Sequence, residues 1–270
     1  MRSITVPLWR RYSWELTLLG LLIVAVAGAS LTSPLYRNFD QIAYSMQQAI
    51  SVIGFLAMGF MMVILLGEID ISLPAILAIG TVTFARAAEA GFPLAVAIVL
   101  VAAACGLAGM INGLIVVTFS LPSLVVTLGT LTVYRAMALL IGGHEGFAAG
   151  VFPESYFWLG YHFLWGRLPV SLIFLVGMIA LFAFILRKTK FGRLLYAVGN
   201  NKLATLYSGH DVKRVTVSAY VIAGVLAGLG ALIYIGQYQS ARADNAAQLL
   251  LFVVSVVVLG GFHIFGGKGN

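Results

Sequence analysis

The sequence predicts an all-α membrane protein built as a polytopic bundle of transmembrane helices. Of its 270 residues, 61% are hydrophobic and only 9% are charged, whereas soluble domains contain about 25% charged residues. The apolar residues also fall into runs of roughly the 20 residues that a helix needs to cross a bilayer. Eight such runs are present, at 14–32, 48–67, 71–89, 93–118, 122–142, 168–187, 214–236 and 247–264. We therefore expect about eight spans in a single transmembrane domain covering residues 1–270.

The first apolar run follows three basic residues, Arg2, Arg10 and Arg11. Its length, and the spans behind it, favour a retained first helix over a cleaved signal peptide. Short basic segments stay on the cytoplasmic side of a membrane protein, so the N-terminus is expected to be cytoplasmic. The net charge of +7 flanks apolar spans, as membrane topology requires, and therefore does not predict nucleic-acid binding.

The strongest topological signal is a basic loop at about 188–213, after the sixth run. The loop and its borders hold seven of the 16 Lys and Arg residues against one acid, Asp211. The seven are Arg187, Lys188, Lys190, Arg193, Lys202, Lys213 and Arg214. Six crossings from a cytoplasmic N-terminus also return the chain to the cytoplasm at this loop, so the two signals agree.

The connection 143–167 then falls on the outer side of the membrane. It carries the acids Glu145 and Glu154, with Arg167 as its only strong base. Its aromatic residues suit a belt at the membrane surface. They are Phe152, Tyr156, Phe157, Trp158, Tyr161 and Trp165.

A short helix is predicted within the basic loop, parallel to the membrane. Asn201 is a good N-cap, and Gly209 is a good residue just beyond the C-terminus of a helix that starts at Lys202. The apolar side chains of this helix are Leu203, Leu206 and Tyr207. They could fill a groove on a partner protein, or the helix could lie on lipid headgroups, held there by Lys and Arg.

Two carboxylates, Glu68 and Asp70, separate the second and third apolar runs. An ionised carboxylate inside a membrane costs about 2.5–3.5 kcal/mol on insertion scales, so it should reach water, a partner or a cavity. One interpretation is a tight cytoplasmic turn with both acids in solvent. The other is a broken helix at a functional interface, because Gly67 and Pro74 weaken helix continuity and free backbone groups that need buried partners.

A second break at Ser120–Ser123 precedes an apolar run that contains Arg135. This arginine must either snorkel to the membrane surface or face the interior of the bundle. Thr130 and nearby hydroxyls could contact a polar solute, although Thr in a membrane helix more often bonds its own backbone. The polar segment 239–245, with Arg242 and Asp244, could meet a solute or a solute-binding protein, or could be an exposed loop. Thr130, Arg135, Arg242 and Asp244 are thus candidates for a translocation path.

Many glycines lie on shared helical faces, and this spacing predicts close helix packing rather than phosphate binding. One set is Gly106, Gly109 and Gly113, and the other is Gly224 and Gly228, with Gly230 nearby. Cys105 is the only cysteine, so no intramolecular disulfide can form. Its apolar neighbours indicate a small core residue.

Motifs for catalysis or for a bound cofactor or metal are not found. The ending Phe262–Gly269 resembles a nucleotide-binding G-x-x-x-x-G-K-[ST] loop but lacks Gly at 262 and Ser or Thr at 269. His144 and Glu145 do not continue into an H-E-x-x-H zinc helix. The remaining histidines are isolated, so we expect a transporter subunit without an ATPase site of its own.

Four stretches of the sequence are similar to those of a known family. They are Gly67–Leu73, Ile111–Arg135, Phe191–Arg214 and Val258–Gly269. The chain resembles the permease subunits of bacterial ABC importers for monosaccharides, in the ribose-type branch of the binding-protein-dependent family. Glu68 and the Ser-Ala-Arg-x-Asp segment at 240–244 resemble the rhamnose-type and autoinducer-2-type permeases. Family members usually carry Gly at the position of Glu68 and often Gly at that of Pro74.

The resemblance implies an inner-membrane permease that pairs with a second permease subunit, as a homodimer or a heterodimer. It also implies a cytoplasmic ATPase subunit that binds ATP and an external solute-binding protein. Within the chain, it assigns the helix at 201–208 as the ATPase-coupling helix. The family continues through further membrane helices after its Gly-Gly-Lys-Gly motif, so we expect the C-terminal helices of the family to be missing from a sequence that stops at Asn270.

The rival hypothesis is a secondary transporter that needs no ATPase. In that case Glu68, Asp70 or Arg135 would couple ion movement to the transport of a small polar solute. Such transporters are often built from inverted repeats, and no convincing internal repeat is visible in this sequence.

Overall fold

The computed structural model describes residues 13–166, 168–263 and 266–267, and the chain folds almost entirely into helices over these ranges. The predictions that rest on Arg2, Arg10, Arg11, Arg167 and the last three residues lie outside the described residues. The helices of six or more residues are α1 Ser13–Thr32, α2 Phe39–Ile64, α3 Leu73–Glu89, α4 Leu94–Phe119, α5 Ser123–Gly142, α6 Val170–Lys188, α7 Lys190–Asn200, α8 Lys202–Tyr207, α9 Val212–Tyr238 and α10 Leu249–Leu259.

The eight apolar runs all become helices, but not all of these helices are long enough to be counted as spans. Among the described residues, five helices combine sufficient length with sufficient hydropathy to cross a membrane. They are α4, α5, α6, α9 and the part of α2 from Asp40. The part of α1 from Leu16 to Thr32 and the whole of α10 are apolar but shorter than 18 residues, and α3 has only 17 residues. The all-α, multi-pass membrane class is therefore confirmed, whereas the expected eight spans are met only in part.

Two compact units divide the chain, Met1–Met46 and Gln47–Asn270. In the first unit, a 3-10 turn at Pro34–Arg37 folds back on the end of α1. There Arg37 Nε donates a hydrogen bond to the carbonyl oxygen of Ser30 at 2.8 Å. The second unit contains α3 to α10 and the larger part of α2, and all the features that follow belong to it.

Glycines allow α4 and α9 to approach each other closely along a seam. A Cβ atom added at Gly109 would collide with the carbonyl oxygen of Tyr220, and one added at Gly224 would collide with that of Cys105. A Cβ atom added at Gly113 would lie 3.0 Å from the Cα atom of Val217, and one added at Gly228 would lie 3.1 Å from the Cβ atom of Cys105. This close approach is the packing that small residues allow in membranes, and it confirms the prediction from glycine spacing.

α3 occupies the centre of the second unit. Fourteen of its 17 residues are buried, because α4, α5 and α9 pack around it. A helix surrounded by protein does not need the full length of a lipid-facing span, which accounts for its shortness. Cys105 on α4 is fully buried against α3 and α9, as expected for a small core residue.

The loops of the second unit collect at two ends. The basic end comprises residues 65–72, 120–122, 189–213 and 266–267. These segments touch through an ion pair between Lys202 and Glu68 and a hydrogen bond from Gly267 N to the carbonyl oxygen of Leu65. The opposite end comprises residues 90–93, 143–169 and 239–248, where Phe147 and Ala241 form a β-bridge. Successive loops from α2 to α9 thus alternate between the two ends, as the sequence predicts.

The connection 143–169 is more ordered than a surface loop. It contains short 3-10 turns, a single α-helical turn at Trp158–Tyr161 and a hairpin that pairs β1 Phe163–Leu164 with β2 Leu168–Pro169. Phe152 and Tyr156 are buried, and Tyr156 Oη donates to the carbonyl oxygen of Phe92 at 2.6 Å. The predicted aromatic belt is therefore wrong for these two residues, which pack inward, while Trp158, Tyr161 and Trp165 are exposed.

The glycine seam yields a direct test. We expect Gly109→Ala to destabilise the fold by roughly 1–3 kcal/mol, because the new methyl group has no space beside the Tyr220 carbonyl. The matched control is Gly177→Ala in α6, where a Cβ meets nothing within 4 Å. That change should leave stability unaltered or slightly raised, since alanine favours helices over glycine. Thermal unfolding of both variants in detergent provides the measurement. Equal midpoints would contradict the close packing of Gly109 against α9.

Candidate functional site at the basic end

The short helix α8 forms where the sequence predicts it. The Asn201 side chain caps its N-terminus by accepting a hydrogen bond from Ala204 N at 2.9 Å. Gly209, with a φ of +83°, turns the chain after its end. Leu203, Leu206 and Tyr207 are 65%, 53% and 86% exposed, respectively. These three apolar side chains are therefore not part of the core and are free to contact another molecule.

A second helix, α7, precedes α8 and was not predicted. Thr189 caps it by accepting a hydrogen bond from Gly192 N at 3.2 Å. Its buried residues are Gly192, Leu195 and Val198, spaced three apart on the face that packs inward. This spacing is helical, but it lies within the stretch whose basic residues predict a loop. Between α7 and α8 lies a groove of about 790 Å³ whose lining includes Lys190, Arg193 and His210.

The segment 65–72 joins α2 to α3 as an irregular turn, and α5 supplies partners for its backbone. Ile69 N donates to Ser123 Oγ at 2.9 Å, and the carbonyl oxygen of Ile69 accepts from Thr127 Oγ1 at 3.2 Å. Ile71 N donates to Thr127 Oγ1 at 3.3 Å. Non-helical backbone at such a position is tolerated only where protein satisfies its polar groups. Ser123 and Thr127 lie one helical turn apart, so a single face of α5 does this.

Asp70 is fully buried within this turn. Its Oδ1 atom accepts hydrogen bonds from Ser72 N at 2.9 Å and Ser72 Oγ at 2.6 Å. Ser72 Oγ in turn accepts from Asn112 Nδ2 on α4 at 2.8 Å, and Asn112 Oδ1 accepts from Tyr134 Oη on α5 at 2.9 Å. The interpretation that places both acids in solvent is therefore wrong for Asp70. Its carboxyl group instead connects the turn to two membrane helices.

Burial also affects the protonation of Asp70. Desolvation raises the pKa of this carboxyl, and the hydrogen bonds from the side chain and backbone of Ser72 oppose part of that rise. The second carboxyl oxygen, Oδ2, has no hydrogen-bond partner among the described residues. A buried carboxylate with one unpaired oxygen favours the neutral form more than an exposed aspartate does.

Glu68 belongs to the same turn and contacts α8. Its Oε1 atom lies 2.7 Å from Lys202 Nζ, and the Glu68 side chain is 13% exposed against 51% for Lys202. The pair borders a cleft of about 440 Å³ between α8 and the α4–α5 break, lined also by Leu121, Leu203 and Leu206. Glu68 is thus nearer to the core than to solvent.

Backbone contact brings α7 against the same turn. Gly199 lies so close to the carbonyl oxygen of Leu65 that a Cβ at this position would collide with it. Gly267 N donates to that same oxygen at 3.0 Å. Pro74, by contrast, lies in the first turn of α3, where it starts a helix rather than breaking one. The predicted interface residues Glu68, Asp70 and Pro74 therefore flank one junction between α2, α3, α7 and α8.

The candidates for the translocation path are mostly far from this junction. Arg135 reaches the opposite end, where its Nη1 atom donates to the carbonyl oxygens of Ala243 and Asn245 at 2.5 and 2.7 Å. Arg242 and Asp244 form an ion pair of 3.1 Å in the same loop. Thr130 Oγ1 is 3.4 Å from the carbonyl oxygen of Thr127, as expected for a threonine that bonds its own helix. Arg135 thus faces the interior and holds the 239–248 loop.

Comparison with known proteins decides the family. A family model described as "Branched-chain amino acid transport system / permease component" matches residues 42–267. The chain belongs to this permease family. The autoinducer 2 import system permease protein LsrD of Yersinia pestis (strain Pestoides F) is 32% identical over 267 residues, which cover 97% of this chain and 80% of the relative. The protein of the same name from Yersinia pseudotuberculosis serotype O:3 (strain YPIII) matches equally. No solved structure matches the chain.

Family membership confirms the resemblance seen in the sequence. The chain is a multi-pass permease component of an ABC importer in the inner membrane, a transport subunit whose family works with ATPase and solute-binding partners. This finding favours the importer over an ion-coupled secondary transporter. Glu68, Asp70 and Arg135 need no role in ion coupling under this assignment.

Asp70 provides a prediction for the junction. We expect Asp70→Ala to destabilise the protein by about 1–3 kcal/mol, because it leaves the buried Ser72 N–H without its acceptor. Asp70→Asn is the matched control, since its amide oxygen can keep both hydrogen bonds from Ser72. The thermal unfolding midpoint in detergent should fall for alanine and stay near the wild-type value for asparagine. Equal losses in both variants would contradict the role of the oxygen acceptor.

Proposed function

We propose that this chain is the translocation subunit of an importer for autoinducer-2 or a closely related monosaccharide such as rhamnose or ribose. The relatives that match 97% of the chain are named for autoinducer 2 import. The importer would contain a second permease subunit, as a homodimer or a heterodimer, an external solute-binding protein and a cytoplasmic ATPase that binds the ATP. The observation that carries the proposal is that α8 presents three exposed apolar side chains beside the turn 65–72.

The basic end is assigned to the cytoplasm. It holds Lys188, Lys190, Arg193, Lys202, Lys213 and Arg214 at or next to its loops, and short loops rich in Lys and Arg remain inside. The opposite end, with Glu145, Glu154 and Asp244, then faces the external solute-binding protein. An even number of crossings before the basic loop would leave the N-terminus in the cytoplasm too.

Coupling would start when the ATPase receives α8 in a groove on its surface. Leu203, Leu206 and Tyr207 supply the apolar anchors of such an insertion, and Asn201 and Gly209 fix the ends of the helix. A movement of α8 would then displace the turn 65–72, which is hydrogen-bonded to α4 and α5. Through those helices, the bundle would change between inward and outward openings.

The path for the solute would run beside α5 and end near the 239–248 loop. Arg242 and Asp244 are more than half exposed at the opposite end, where they can contact an incoming sugar or its binding protein. Arg135 contributes by holding that loop in place, and Thr130 lies on the same helix as Arg135, α5. Lipid surrounds the remaining apolar faces of the bundle.

Docking through α8 is tested by co-purification with the cognate ATPase. Leu203→Asp together with Leu206→Asp should reduce ATPase retention by more than about tenfold, because burying one leucine contributes about 1.5–3 kcal/mol. The matched control is Trp165→Asp, an equally abrupt change at an exposed residue of the opposite end. The control should retain the ATPase. Loss in both variants, or in neither, would refute the docking assignment.

Topology is tested by labelling single cysteines in intact spheroplasts with a membrane-impermeant maleimide. Native Cys105 is the only cysteine and is fully buried, so the wild type should stay unlabelled. Trp165→Cys should react from outside, whereas Tyr207→Cys should react only after the membrane is permeabilised. The reverse pattern would overturn the assignment of the basic end to the cytoplasm.

A further inference from the structure

One ion pair connects α8 to the membrane helices across a large sequence distance. Within the described part of the chain, four ion pairs are formed, and three of them join residues no more than three positions apart. The fourth joins Lys202 to Glu68, which are 134 positions apart. A local pair can steady its own helix or loop only, whereas this pair ties two separate segments together.

Lys202 is not needed to form α8. The helix is capped by Asn201 and ends before Gly209, and both of these features are local. A positive charge in the first turn of a helix opposes the helix dipole, so lysine is a poor choice for that position on local grounds. The nearby carboxylate of Glu68 compensates for this charge. The position of Lys202 is thus explained by its contact with Glu68.

From Glu68, the connection continues without a gap into the bundle. The next residue, Ile69, bonds Ser123 and Thr127 on α5 through its backbone. Beyond it, Asp70 bonds Ser72, which bonds Asn112 on α4. Each of these contacts is a hydrogen bond of 3.2 Å or less. The side chains that make them are buried, namely Asp70, Ser72, Asn112, Ser123 and Thr127.

We propose that the Lys202–Glu68 pair transmits the movement of α8 to the turn 65–72 and thereby to α4 and α5. The inference rests on the proposed function, since it requires α8 to be the helix that the ATPase moves. Lys202 and Glu68 are then positioning residues of the transport cycle: they contact neither solute nor ATP. Lys202 is half exposed, so water can hydrate the pair from that side and limits what its loss costs in folding stability, while the 13% exposure of Glu68 makes the unfolding midpoint a necessary control. Breaking it should therefore uncouple the importer without unfolding it.

The test uses the assembled importer in proteoliposomes, with four permease variants beside the wild type. Glu68→Gln and Lys202→Gln each remove one charge, and the double variant Glu68→Lys with Lys202→Glu reverses the pair. The matched control, Arg214→Gln, breaks the ion pair between Arg214 and Asp211 at the same end. For each variant, ATPase retention on purification, ATP hydrolysis and uptake of autoinducer-2 are measured, and the unfolding midpoint confirms folding.

Both single variants should keep the ATPase and hydrolyse ATP, while uptake per ATP falls by at least about fivefold, the low end of typical coupling effects. The reversed pair should recover most of the uptake, and Arg214→Gln should match the wild type. Wild-type uptake in the single variants, or no recovery in the reversed pair, would overturn the role of the Lys202–Glu68 pair and leave the proposed function intact. Loss of the ATPase from the single variants would make the pair a docking contact and also overturn it. A wild-type permease that never holds the ATPase would overturn the proposed function itself.

Discussion

The structure depends on how one irregular segment of backbone, the turn 65–72, is satisfied inside a helical bundle. A helix that stops within a membrane protein leaves amide and carbonyl groups without partners, and each costs several kcal/mol if it is buried unpaired. Here the side chains of Ser123 and Thr127 provide those partners from one face of α5. The break between α2 and α3 is therefore an ordered junction, and α4, α7 and α8 also contact it.

This arrangement relates stability to coupling. The polar groups that hold the turn in place also connect it to α4 through Asn112 and to α5 through Tyr134. α7 meets the turn through Gly199 at the Leu65 carbonyl, and α8 meets it through Lys202. α7 and α8 are thus both in contact with a segment whose backbone is held by side chains of another helix instead of by its own helix. A partner acting on those helices acts on that segment.

Local chemistry explains what the sequence could predict. α8 was placed correctly because an asparagine and a glycine define its ends within ten residues. The faces of the glycine seam followed from spacing along each helix, although spacing alone did not pair α4 with α9. The sequence does not separate α7 from the rest of the basic loop, although Gly192, Leu195 and Val198 are spaced as the inner face of a helix requires.

The remaining features depend on residues that are distant in the sequence. Asp70 is buried and bonds Ser72, which accepts a hydrogen bond from Asn112, 42 positions away from Asp70. Tyr156 packs inward because Phe84 and the Phe92 carbonyl receive its ring and its hydroxyl group. Arg135 could be assigned to the bundle interior or to the membrane surface, and only the fold identifies the Ala243 and Asn245 carbonyls as its partners. No periodicity within one helix carries this information.

The glycine seam has a consequence for how such a bundle can rearrange. Interlocked side chains can exchange rotamers and let two helices slip past each other, but the main-chain contacts of Gly109 with Tyr220 and of Gly224 with Cys105 offer no such alternatives. A shift of α4 along α9 by one residue would push a branched side chain, such as Val217 or Val221, against the facing main chain. The two helices are thus confined to one register and should travel as a single rod. Any change of shape in this subunit must then occur around that rod and not within it.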